Sequence, residues 1–250
     1  VSFMRSEDSG ANWPIMYGYN GPYRNILHVD NHALAFNPQN PDYIISGNDG
    51  GINVSTNAGI DWSNPADISV TQFYEIGLDY QNPERLYGGS QDNNTVRTKT
   101  GNLNDWESIY GGDGFYVLVD FEDPSIIYAE SQNGGLAKLE ELDGGGFIYH
   151  NATNGVDFSE PVNWSMPVVF DPNNSSVLYL GTDRVYRTIN KAGRWEAISD
   201  KLSDGPYQTT FGTVTTIAVA PTDSNVIYAG TDDSNVWVTN NYGATWNKIS

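Results

Sequence analysis

The chain has 250 residues, with 31 acidic against 12 basic side chains and a formal charge of −19. A field of that sign repels nucleic-acid phosphates and anionic bilayer surfaces, which argues against both as partners. No apolar run approaches the ~20 residues that cross a bilayer, so no membrane-inserted helix is expected; the lack of any cysteine removes disulfides and thiolate metal sites.

The opening "VSFMRSEDSGANW" reads as a strand and the turn after it, so residues 1–24 are expected to be the last two strands of a sheet. The chain is accordingly expected to be part of a longer one, continuing at both ends. Complete units then follow at about 25–70, 71–112, 113–155, 156–203 and 204–250. They align on "NPDYIISGNDGG" (40–51), "NPERLYGGSQDN" (82–93), "DPSIIYAESQNG" (123–134), "NSSVLYLGTDRV" (174–185) and "DSNVIYAGTDDS" (223–234). Each unit runs through four short segments rich in Tyr, Val and Ile, separated by Pro, Asn, Asp and Gly. That pattern predicts antiparallel strands, and no segment sustains a helical period. Four strands per unit at a period of forty to fifty residues predict an all-β chain, a β-propeller of four-stranded antiparallel blades.

A turn recurs between the third and fourth strands: "SEDSGANW" (6–13), "STNAGIDW" (55–62) and "TNNYGATW" (239–246). Its Asp or Asn is suited to hold backbone amides, its Gly to supply positive φ, and its Trp to cover the gap between blades. In "TINKAGRW" (188–195) the glycine is displaced by one, "TKTGNLNDW" (98–106) carries an extra residue, and "LEELDGGGFIYH" (139–150) lacks the motif.

These residues resemble the Asp-box, or BNR, repeat, Ser-x-Asp-x-Gly-x-x-Trp, found in sialidases, xyloglucan-degrading glycoside hydrolases and sortilin-type receptor propellers. Residues 28–62 look especially like secreted bacterial Asp-box proteins described as glycosyl-hydrolase-like. The resemblance covers essentially the whole chain. It implies a propeller fold with Asp-box turns and a carbohydrate-directed function. Sialidase activity is not expected, since the sequence has no Arg-Ile-Pro and its seven arginines do not match the sialidase triad. In the xyloglucan-degrading enzymes an Asp of an Asp-x-Gly-Gly loop takes part in catalysis. Asn48-Asp49-Gly50-Gly51 is similar but lacks the intervening residue.

Connectivity places the recurring turns on one rim, and the second-to-third-strand loops with the entries to the inner strands on the other. Facing that second rim are His28, Asp30, His32, Asp49, Gln91, Asp92, Asp113 and Gln132. Asp30, Asp49, Asp92 and Asp113 are the candidate acid/base carboxylates of glycoside hydrolysis, and Gln91, Gln132 and Tyr116 the candidate ligand-binding residues. Tyr110, Phe115, Trp164 and Tyr207 are further stacking candidates. His28, Asp30 and His32 alternate, so an extended segment would align them for a divalent metal. Loop carboxylates and carbonyls also suit Ca2+. Three functions follow: a carbohydrate-active enzyme, a non-catalytic module binding a glycan or an extracellular protein, or a structural part of a larger assembly. The setting expected is secreted or cell-surface, in a bacterium or archaeon.

Overall fold

The computed structural model describes residues 3–17, 27–28, 30–64, 71–205 and 211–250. Tyr207 lies outside the described residues, as do parts of the predicted 1–24 and 25–70 segments. Two compact units are present, Val1–Thr71 and Gln72–Ser250. In the first, β1 (Phe3–Met4) pairs with β2 (Ile15–Tyr17). A three-stranded antiparallel sheet follows: β3 (Asn31–Asn37), β4 (Asn40–Asn48) and β5 (Gly51–Ser55). A single isolated antiparallel bridge joins Val54 to Ser63.

The second unit holds four four-stranded antiparallel sheets, each in simple chain order. The first is β6 (Glu75–Leu78), β7 (Leu86–Gly89), β8 (Thr95–Thr98) and β9 (Glu107–Tyr110). The next is β10 (Val117–Val119), β11 (Ile126–Ser131), β12 (Gly135–Glu141) and β13 (Phe147–Asn151). Then come β14 (Val168–Asp171), β15 (Asn174–Gly181), β16 (Val185–Thr188) and β17 (Glu196–Ala197). The last is β18 (Val214–Val219), β19 (Ile227–Thr231), β20 (Val236–Thr239) and β21 (Asn247–Lys248). These are propeller blades. Within this unit consecutive sheets pack face to face through the apolar side chains of their middle strands. Ile127, Tyr128, Leu139, Leu178, Tyr179 and Ile227 are fully buried as a result.

The recurring turn is a hydrogen-bonded device. Ser6 Oγ accepts the Gly10 amide at 2.8 Å, and Asp8 Oδ1 accepts the Asn12 amide at 2.8 Å. Ser55 with Asn57 repeats the pattern toward Gly59 and Asp61, and Thr239 with Asn241 toward Gly243 and Thr245. Two consecutive left-handed residues carry the bend, such as Tyr242 at φ 56° and Gly243 at φ 89°. The displaced glycine of "TINKAGRW" does not shift this geometry. Lys191 and Ala192 take the two left-handed places at φ 55° and 60°. In "TKTGNLNDW" the acid itself has moved: Asp105, just before Trp106, accepts the amides of Lys99 and Thr100. Two of the motif tryptophans reach backward, Trp195 Nε1 donating to Ala152 O at 2.7 Å and Trp246 Nε1 to Ile198 O at 2.9 Å. Each ties its blade to the preceding one.

Candidate functional site

On the rim opposite those turns, each second-to-third-strand loop grips the entry of the next inner strand. The Gly114 amide donates to Ser90 O, the Asn133 amide to Trp164 O and the Val214 amide to Thr182 O. Side chains add to this network, across a junction or within one blade. Asp113 Oδ1 accepts the Asp92 amide at 2.8 Å, and Gln132 Oε1 accepts the Asp113 amide at 2.9 Å. Asp232 holds the amides of Gly212 and Thr213 in the last blade. The loops bearing Gln91, Asp92, Asp113 and Gln132 are therefore gathered on one rim of the second unit. There the Asp113 carboxylate braces a loop in which Asp92 takes a left-handed φ of 63°.

In the first unit, His32 Nε2 meets Asp49 Oδ1 across the β3–β4 ladder. The His28 ring packs over Gly50, where an added Cβ would lie 2.6 Å from its ring carbons. Asp30 has φ 56°, so the segment from His28 to His32 is not continuously extended. The predicted alternation of two imidazoles and a carboxylate on one strand face is interrupted at that residue, because a left-handed residue reverses the pleat.

One carboxyl group escaped the sequence reading. In the aligned units the position before the loop is Gly47, Gly89, Gly181 and Gly230, but Glu130 in the third. At Gly89 an added Cβ would approach Phe115 O to 2.0 Å, and at Gly181 it would approach Val214 Cβ to 2.7 Å. The Glu130 side chain fits because it is inserted between blades. Oε1 accepts the Met166 amide at 2.8 Å and Oε2 the Tyr116 amide at 3.3 Å. The residue is wholly buried. Burial raises its carboxyl to about 8, against the lowering pull of those amides, and raises Glu75 as well. Burial, with Glu75 and Glu130 nearby, pushes the Tyr116 hydroxyl up to about 12. Tyr116 thus enters this rim as a neutral phenol. The lone Glu in a glycine column was the available signal for Glu130.

Aromatic rings accompany these groups. Phe115, buried, stands edge-on to Tyr74 at 5.1 Å and to Trp164 at 6.0 Å. Tyr74 and Trp164 remain half exposed. Three consecutive entry loops thus contribute one ring each.

No protein-family model matches the chain, and no curated protein matches it. Solved structures do. A GH74 enzyme from Niastella koreensis superposes with a TM-score of 0.54 at 20% identity, over 88% of this chain and 38% of that one. The GH74 xyloglucanase from Xanthomonas campestris gives 0.50 at 16% identity, over 86% and 37%. The Cps50 (Swd1) β-propeller domain of Myceliophteria thermophila gives 0.50 at 11%, over 83% and 64%. At these identities the likeness establishes the fold, and the chain spans well under half the length of the GH74 enzymes.

Proposed function

We propose that this chain is a segment of an Asp-box β-propeller directed at carbohydrate, exported from a bacterial or archaeal cell, with its site on the loop rim. The observation that carries the reading is the division of labour between the rims. On the turn rim, Ser/Thr and Asp/Asn side chains are occupied by backbone amides of their own turns. On the loop rim, Tyr74 and Trp164 present open ring surface beside Gln91, Gln132 and Tyr116, the mixture of flat apolar area and amide groups that sugars require. The likeness to GH74 enzymes supports the choice of ligand class, and the acidic, cysteine-free composition supports the extracellular setting.

Binding without turnover is the second reading, and two observations favour it. Asp113 is engaged with the Asp92 amide. Glu130, whose carboxyl stays protonated at neutral pH, is fully buried and so cannot reach a glycosidic oxygen. The test is affinity electrophoresis of the chain through a panel of polysaccharides, followed by a reducing-end assay. Retardation by at least one polysaccharide is expected. Release of reducing ends that disappears in Asp49→Asn or Asp113→Asn would establish a hydrolase. Absence of retardation across the panel overturns the carbohydrate reading.

A further inference from the structure

A concavity lies on the same rim, at the outer flank of the β10–β13 blade. It is a cavity of about 520 Å³ whose walls include Tyr110, Tyr149, Phe158, Gln132, His150 and Asn151. We infer that this is a binding pocket for an uncharged saccharide, a proposal that rests on the carbohydrate-directed reading and locates its ligand off the propeller axis.

The pocket is rigid where a sugar needs rigidity. Tyr110 Oη donates to Gly135 O at 3.1 Å and Tyr149 Oη to Ile109 O at 3.0 Å, so both rings are fixed by their hydroxyls while their faces stay available. Phe158 and Tyr149 are 46% and 55% exposed, a large apolar area that no described residue covers. The floor is the 3-10 turn Gln132–Gly134, with Asn133 at φ 59° and Gly134 at φ 77°. A Cβ at Gly134 would sit 3.0–3.1 Å from Phe158, Met166 and Val162, so with its left-handed φ any side chain there is strained and crowds these neighbours.

The polar groups are sorted by what they already hold. Gln132 Oε1 accepts the Asp113 amide, and Asn151 Oδ1 accepts both the amide and the hydroxyl of Thr153. With both carbonyl oxygens taken, each side chain is oriented with its NH2 group as the available donor. Two oriented amide donors between aromatic walls match the hydroxyl oxygens and C–H faces of a pyranose.

Charge selects the uncharged class. Among the described residues no lysine or arginine lines the cavity. Its imidazole, His150, lies 3.3 Å from the Glu140 carboxylate. A uronate or sialate would find no cation there and would enter against a chain carrying −19.

Isothermal titration of the chain with cellotetraose and mannotetraose as neutral probes, and trigalacturonate as the anionic one, tests this. A neutral probe should bind. Phe158→Ala and Tyr149→Ala should each raise its Kd at least tenfold, whereas Leu103→Ala, in the exposed turn at 98–106, should change it less than twofold. Circular dichroism checks each variant's fold; Phe158 lies on an exposed loop, so Phe158→Ala alone decides if Tyr149→Ala does not fold. Neutral binding that survives Phe158→Ala but is lost in Trp164→Ala overturns the pocket and leaves the carbohydrate reading standing. Tighter binding of trigalacturonate overturns the ligand class. Absence of binding by every probe overturns the pocket together with the reading it rests on.

Discussion

Glu130 shows how one side chain can bias the stability of a blade pair. Its carboxyl is raised to about 8 in the folded chain, so between the ordinary carboxylate range and that value the folded state holds a proton that the unfolded state has lost. Stability should therefore fall as pH rises through that interval and level off above it. Glu130→Gln should remove this slope, melting close to the parent at pH 5 and higher than it at pH 9, by an amount of order a few kcal/mol. Melting curves from pH 5 to 9 check this; a parallel pair of curves contradicts it. At Gly89 the constraint is steric, with Phe115 O only 2.0 Å from where a Cβ would stand. Gly89→Ala should lower the melting temperature sharply, because the obstruction is backbone. Both residues bear on what a sequence reveals. The glycine column was visible in the aligned units, but Glu130's exception to it acquires meaning only from the amide of Met166, 36 residues away. Asp105 taking over an acid's role five places from the expected slot at Thr100 was likewise hidden. The pattern records residue types at fixed offsets, while the hydrogen bond needs only an oxygen in the right place.

Between elements, the blades are joined by buried polar ties as well as apolar faces. Arg97, on β8, is 1% exposed and donates to Glu107 at 2.8 Å within its own sheet. It also donates to Glu141 at 2.9 Å on the next sheet and lies 4.5 Å over the Phe147 ring. Removing Arg97 opens the inter-sheet space and leaves Glu141 only the more exposed Arg85 and Lys99 as partners, so Arg97→Ala should cost about 2–5 kcal/mol. Arg97→Met, which keeps the volume, should recover part of it; urea denaturation of both variants measures the difference. Lys191 makes the matching tie one junction later, its Nζ 2.8 Å from Asp120 across the gap between blades. At this scale the sequence was informative. Apolar alternation and turn residues marked the strands, since strand pairing in each blade is local in the chain. The partners of Arg97 and Lys191 were not legible, because contacts between blades join residues forty to seventy positions apart.

Over the molecule, repetition separates a structural rim from a recognition rim within the second unit. The recurring turns spend their polar groups on their own amides and two of their tryptophans on the preceding blade. The opposite loops brace each other and leave aromatic faces and amide donors exposed. The gathering of Gln91, Asp92, Asp113 and Gln132 could be anticipated from repeat connectivity alone. The flank pocket could not: Phe158 sits in an irregular loop and Tyr149 on an outer strand, where no periodicity announces a shared cavity. Hydrogen–deuterium exchange of the chain, with and without a saturating neutral oligosaccharide, tests the division of rims most directly. Protection is expected in the loops around 110–116, 131–135 and 149–158, with exchange unchanged at the turns 98–106, 188–195 and 239–246. Protection concentrated in those turns would contradict it.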